Sequence, residues 1–270
     1  MLAGAVLVLN VVGAQCPAAP WDDMLALAPK QSTMAIWTDL LQARSSALVR
    51  RVQADARWRT LAGCEMQADE LLLALDEEGP LAWVLRGGEA ARLTRCGDLH
   101  VVRADKNTVV LAPDRAMRRL PGATRPRARV ARTALSRLLC QAPRGRTVAF
   151  AARLGPQARK RLDRMPALKD AGTLRSVVGG ADLRDGLMLT MHARLGSRGA
   201  AARVVQGIER ELDAWRRQPL FALAGLSPLL SGVRASAQGD TTKIEANLGE
   251  AALLRLWDGM DALARTSARP

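Results

Sequence analysis

Basic side chains are concentrated between residues 115 and 164. This window holds 15 Lys and Arg residues against one acid, Asp163, whereas the rest of the chain carries equal numbers of bases and acids. Because a guanidinium group pairs well with phosphate, the window predicts a surface for an anionic polymer or an anionic membrane. The candidate anion-binding residues are Arg125, Arg127, Arg129, Arg132, Arg137, Arg159, Lys160 and Arg161.

The same window has a second interpretation, in which its arginines pair with acids elsewhere and join two parts of the protein. Nucleic acid is a disfavoured partner, because Phe150 is the one aromatic residue in the window and single strands bind largely by stacking. The sequence leaves open a protein partner, an anionic polymer and a membrane surface.

Familiar catalytic motifs are absent from the sequence, which contains no GxGxxG, GxxxxGK[ST], GxSxG or HExxH. The two histidines, His100 and His192, fall inside predicted strands. The carboxylates of residues 76–78 and of Asp182 fall in predicted turns, where solvated acids are common. We therefore expect no catalytic residues and no cofactor.

The four cysteines, Cys16, Cys64, Cys96 and Cys140, form no CxxC pair, so their spacing predicts no metal site. In an exported protein such residues form disulfides. Cys64 and Cys96 flank a predicted hairpin and are the best-placed pair. In a cytosolic protein all four would instead be buried, small apolar residues.

Residues 2–14 form an apolar stretch that ends in Val12, Gly13 and Ala14, which is typical of an export signal cleaved before Gln15. A buried first strand or helix is the alternative. Acylation of Cys16 is disfavoured, because Gln15 stands where a small residue is expected. No apolar run reaches the ~20 residues of a membrane-spanning helix, so we expect an exported periplasmic or cell-envelope protein, not an integral membrane protein.

The alternation of apolar residues predicts ten strands that arrive mostly as hairpins, with helices between the pairs. The predicted strands are 32–38, 70–76, 81–86, 99–103, 108–112, 147–153, 173–181, 186–195, 232–237 and 241–247. The main predicted helices cover 39–52, 113–120, 127–140, 156–165, 197–217 and 249–263. This order predicts an α+β fold of antiparallel sheets with helices packed on one face.

A linker at residues 121–126 (PGATRP) divides the chain into a half at 15–120 and a half at 127–270, after the signal at 1–14. The two halves have similar strand and helix content, which allows a duplicated architecture, although no residue-level repeat is present.

The order of strand, helix, Cys64, the hairpin ending at residues 84–87 (VLRG), Cys96 and a second hairpin ending at residues 111–113 (LAP) resembles a loose group of exported bacterial α+β proteins from GC-rich genomes, which are often lipoproteins. The resemblance implies export and carries over no functional residues. The sequence thus favours an exported, non-enzymatic structural or interaction protein with a basic contact surface. A direct binder of anionic polymer or lipid headgroups, and an enzyme with a dispersed site, are the alternatives.

Overall fold

The computed structural model describes residues 19–54, 63–121, 133–164, 171–218 and 227–267. The predicted export signal, Cys16 and most of the predicted linker lie outside the described residues. Four of the candidate anion-binding residues also lie outside them, namely Arg125, Arg127, Arg129 and Arg132.

Ten strands form one antiparallel sheet in the order β4-β5-β3-β2-β1-β6-β7-β8-β10-β9. The strands are β1 (Met34–Asp39), β2 (Glu70–Asp76), β3 (Gly79–Arg86), β4 (His100–Arg103), β5 (Thr108–Ala112), β6 (Val148–Arg153), β7 (Ser176–Asp182), β8 (Gly186–Arg194), β9 (Val233–Gln238) and β10 (Thr241–Gly249). Each matches a predicted strand to within about three residues, and the predicted α+β combination of antiparallel strands with helices is present. The hairpins merge into one sheet rather than several.

The centre of the sheet is the antiparallel pair β1 and β6, in which Ile36 lies opposite Phe150. Outward from this pair, the order β1-β2-β3-β5-β4 on one side repeats as β6-β7-β8-β10-β9 on the other. In each half the last strand pairs with the third strand as well as with the fourth: β5 pairs with β3, and β10 pairs with β8. The chain therefore uses one strand order twice, around an approximate twofold axis near Ile36 and Phe150.

The helices of the described residues are mostly short, apart from two long ones near the end of the chain. They are α1 (Asp22–Leu25), α2 (Leu40–Ala43), α3 (Ala47–Ala54), α4 (Asp114–Met117), α5 (Ala134–Leu139), α6 (Pro156–Asp163), α7 (Arg198–Arg216), α8 (Ser227–Ser231) and α9 (Glu250–Ser267). None of the helices that the structure describes is both long and apolar enough to cross a bilayer.

The sheet has helices on both faces. On the face that carries Ala35 and Trp37, here called the first face, α1 and α5 pack over β1, β2, β3 and β6. Side chains alternate along a strand, so Met34, Ile36 and their cross-strand neighbours occupy the second face. There α7 packs on Ala193 of β8, and Leu162 of α6 joins the same cluster. The expectation of helices on one face therefore needs correction, because strands apolar on both sides must be covered on both sides.

One predicted helix, 39–52, is divided into α2 and α3. Asp39 caps α2 by accepting a hydrogen bond from the Gln42 N–H at 2.9 Å. The chain then leaves the helix at two serines. The Ser45 hydroxyl donates to the Gln42 carbonyl at 2.7 Å, and the buried Ser46 hydroxyl accepts from the Val49 N–H at 3.4 Å. Serine side chains that compete for backbone groups favour such an interruption.

Candidate functional site

A groove of about 490 Å³ lies on the second face of the sheet, where the two halves of the strand order meet. Its floor consists of apolar side chains from three adjacent strands, β1, β6 and β7. These are Met34, Ile36, Phe150, Ala152 and Val177. Most of them are only partly buried, so the centre of this face is open to a ligand.

The wall of the groove is formed by α6 and the segments at its two ends. Ala158 and Leu162 face the floor from α6, while Leu154 precedes the helix and Leu174 precedes β7. Pro156 starts α6 at its first position, where a missing N–H costs no hydrogen bond. The groove therefore has an apolar floor and a largely apolar wall.

The floor owes its shape to Gly179, which pairs with Phe150 across β6 and β7. A Cβ at residue 179 would lie 2.6 Å from Phe150 Cζ and 2.5 Å from the Thr190 carbonyl oxygen, both closer than atoms can approach. The Phe150 ring therefore covers the space that a side chain at residue 179 would occupy. It is the one aromatic ring among the described residues that line the groove.

Among the described residues, four charged side chains line the rim of the groove. Two of them are acids from the β2–β3 hairpin, and both have compensating partners. Asp76 lies 3.9 Å from Arg115 and 4.0 Å from Arg119. Glu77 Oε1 accepts a hydrogen bond of 3.4 Å from the Ala158 N–H, at the positive end of α6.

The other two charged residues at the rim are Arg153, which ends β6, and Arg161 of α6. Both are exposed, and neither forms an ion pair with the part of the chain that the structure describes. The site therefore combines an apolar interior with two lining arginines that have no ion-pair partner in the described part of the chain.

The basic candidates from the sequence divide between the two faces. Arg137 is exposed on α5, which packs on the first face through Leu135 and Leu139. Lys160 and Arg161 are exposed on α6, on the second face. Arg159 is half-buried beside them, and its Nε donates to the Gly155 carbonyl at 3.4 Å. The four described candidates thus lie on two separate surfaces.

The apolar groove was not predicted from the sequence, and the carboxylate of Glu77 was assigned to a solvated turn. The sequence does contain a signal that points to the groove. Strands β1 and β2 read MAIWTD and ELLLALD, with apolar residues on both faces, although an antiparallel strand with one solvated face alternates apolar and polar residues. Such strands must be covered on both faces or must bind something on one.

The histidines form no metal site with the other residues that the structure describes. His100 pairs with the Asp114 carboxylate at the exposed edge of the sheet, and His192 lies in β8 opposite Lys243. Among the described residues, no group of three His, Cys, Asp or Glu side chains could hold a metal ion.

Cys64 and Cys96 are bonded to one another, as their flanking position predicts, with Cα atoms 6.0 Å apart. The disulfide belongs to the apolar cluster that covers the second face in the first half, together with Leu85, Val109 and Leu111. Cys140 is also disulfide-bonded, and no cysteine in the described part of the chain is free.

No family model matches the sequence, and no curated protein matches it. A solved structure titled "Structure of crystal form III of TP0453" superposes with a TM-score of 0.45 and 12% sequence identity, over 86% of this chain and 95% of that chain. A similarity at this level supports no inference about function.

Proposed function

We propose that the protein is an exported, non-enzymatic binding protein for a molecule with one long acyl chain and an anionic headgroup. The observation that carries the proposal is the apolar groove of about 490 Å³ with Arg153 and Arg161 at its rim. The acyl chain would lie along Met34, Ile36 and Phe150, and the headgroup would meet the two guanidinium groups.

The size and lining of the groove support a lipid-like ligand. Small-molecule sites occupy roughly 300–1,000 Å³ and use a few polar groups to fix orientation. Here the polar groups sit at the rim, so a ligand with polar groups along its whole length would lose hydrogen bonds to water on entry. A flexible hydrocarbon chain makes no hydrogen bonds to water and so loses none on entry. An anionic head would gain charge-assisted hydrogen bonds from the arginines.

Export is the second part of the proposal, and it rests on the apolar segment at residues 2–14, the resemblance to exported bacterial proteins and the disulfide chemistry. Disulfides persist in oxidising compartments such as the periplasm, where Cys64 and Cys96 would stay bonded. The basic surface predicted from the sequence remains a candidate contact surface for a further partner.

The test is displacement of a fluorescent long-chain fatty acid by palmitate, measured on two matched variants. Met34 on the groove floor is 37% exposed, and Met188 of β8 is 47% exposed. Met188 lies opposite Asp182, which places it on the first face, away from the groove. Met34→Lys should weaken palmitate binding at least about tenfold, because an ammonium group would enter an apolar space. Met188→Lys should leave it unchanged.

The headgroup assignment has its own comparison. The double variant Arg153→Gln and Arg161→Gln should lose affinity for palmitate while keeping its weaker affinity for the uncharged hexadecanol. If the wild-type protein binds neither compound, or if the Met34 and Met188 variants bind equally well, the proposal is wrong.

A further inference from the structure

Helix α6 has two sides with different chemistry. Gln157, Ala158, Arg161 and Leu162 line the groove. At 3.6 residues per turn, Arg159 and Lys160 point away from that side. Arg164 follows directly after the helix and is exposed. One side of α6 thus closes the groove, while the other presents cations to the outside.

A further exposed cation, Arg175, belongs to the same region. The Leu154 N–H donates to the Arg175 carbonyl at 3.1 Å, so residue 175 lies beside the strand end that leads into α6. Its neighbour Leu174 lines the groove. We call the outward group of Arg159, Lys160, Arg164 and Arg175 the α6 surface.

None of the four members of the α6 surface forms an ion pair with the residues that the structure describes. The Glu77 carboxylate contacts the same helix, but through the Ala158 N–H rather than through a cation. Acids at neighbouring strand ends are engaged elsewhere: Asp240 with Arg194 at 3.0 Å, and Asp76 near Arg115. In sequence, residues 156–164 carry four cations and one acid. The surface therefore carries a net positive charge next to the groove.

We propose that the α6 surface docks the protein onto an anionic lipid bilayer, with the groove edge facing the membrane. Anionic headgroups attract clustered Lys and Arg side chains, and each cation near the surface strengthens binding about fivefold. The bilayer is favoured over an anionic polymer because the apolar groove adjoins the cations, and only a bilayer offers both headgroups and acyl chains. This docking proposal extends the proposed lipid-binding function and rests on it.

The experiment is co-sedimentation of the full chain with phosphatidylcholine vesicles that contain or lack 30% phosphatidylglycerol. The test variant is Lys160→Gln, Arg164→Gln and Arg175→Gln, which spares Arg153 and Arg161 in the groove. The control variant, Arg95→Gln, Lys106→Gln and Arg210→Gln, removes three exposed cations elsewhere. We expect the wild-type protein to bind only the vesicles that contain phosphatidylglycerol, and this binding should weaken with added salt. The affinity should fall about 100-fold in the test variant and change little in the control variant.

The outcomes separate this proposal from the proposed function. Equal losses in the two triple variants, or equal binding to both vesicle types, would overturn the docking proposal. Heparin binding that is tighter than vesicle binding and is lost in the test variant would overturn it in favour of a polymer. Palmitate displacement in solution should be unchanged in the test variant. A protein that docks on vesicles but never binds palmitate would refute the proposed function and leave the docking intact.

Discussion

Glu77 Oε1 accepts a hydrogen bond from the backbone N–H of Ala158 over 3.4 Å, and this contact joins the β2–β3 hairpin to α6. The two residues belong to different halves of the repeated strand order, so the contact ties the halves together across the end of the groove. A carboxylate at a helix N-terminus also stabilises the helix through the helix dipole.

The contact depends on Gly155, where a Cβ would lie 2.8 Å from the Glu77 carboxyl carbon. Gly155 has φ of −76°, which alanine adopts without strain, so Gly155→Ala should act only by displacing Glu77. We expect a loss of about 1 kcal/mol in the free energy of unfolding, measured by urea denaturation. Gly249→Ala is the control, because a Cβ there has nothing within 4 Å. Equal effects of the two substitutions would exclude this role for Glu77.

Gly179 should tolerate no side chain, because an added Cβ would meet both the Phe150 ring and a backbone carbonyl of β8. Overpacking of this kind destabilises by about 1–3 kcal/mol, and we expect Gly179→Ala near the upper end of that range. At the neighbouring Gly180, the nearest atom would be 3.0 Å away, so Gly180→Ala should cost less. Combining Gly179→Ala with Phe150→Leu should cost less than the sum of the two, measured as a double-mutant cycle.

The parts of the fold that were predictable from sequence are local. The β2–β3 hairpin turns at Glu77 and Glu78, directly before Gly79 and Pro80, and the β9–β10 hairpin turns at Gly239 with φ of +60°, so turn chemistry marks these strands directly. The Cys64–Cys96 pairing was also predictable, because the hairpin fixes where its flanks lie.

The central pairing and the groove were not predictable in the same way. Ile36 and Phe150 are far apart in the sequence, and no local pattern states that β1 and β6 are neighbours. In the sequence Glu77 is an ordinary turn residue, and its contact with α6 is visible only in the folded structure. A site made by two distant segments depends on tertiary packing, which residue periodicity does not encode.

The disulfide between Cys64 and Cys96 should contribute substantially to stability. It closes a loop with a sequence separation of 32, for which the chain-entropy model gives about 3–4 kcal/mol. The double variant Cys64→Ala and Cys96→Ala should lose this amount in chemical denaturation. Substitution is preferable to a reducing agent, which would also attack the bond of Cys140. A double variant as stable as the wild type would show that the bond is not formed or not stabilising.

Asp182 should make the stability depend on pH. Hydrogen bonds from the Arg184 side chain hold the pKa of the Asp182 carboxyl well below its usual range, aided by the Arg184 N–H and the buried Thr147 hydroxyl, while burial acts in the opposite direction. Because the folded pKa is depressed, the stabilisation is complete above the unfolded pKa near 4 and is lost as the pH falls below it.

Asp182→Asn should therefore destabilise the protein by about 2 kcal/mol at pH 7, and the gap to the wild type should narrow below about pH 4. Asp185→Asn, in the same turn but exposed, is the control and should have little effect at any pH. Thermal unfolding followed between pH 3 and pH 7 measures both. A gap for Asp182→Asn that stays constant with pH would contradict the assigned ion pair.

The occupancy of the groove can be observed through its one aromatic ring. The chain has two phenylalanines, Phe150 and Phe221, and no tyrosine, so protein labelled with 4-fluorophenylalanine gives two ¹⁹F resonances. The variant Phe221→Leu assigns them. On titration with palmitate, the Phe150 resonance should shift in a saturable way with the affinity found by displacement, and Met34→Lys should abolish the shift. Palmitate that binds the protein while the Phe150 resonance stays unchanged would contradict the assignment of the groove as the lipid site.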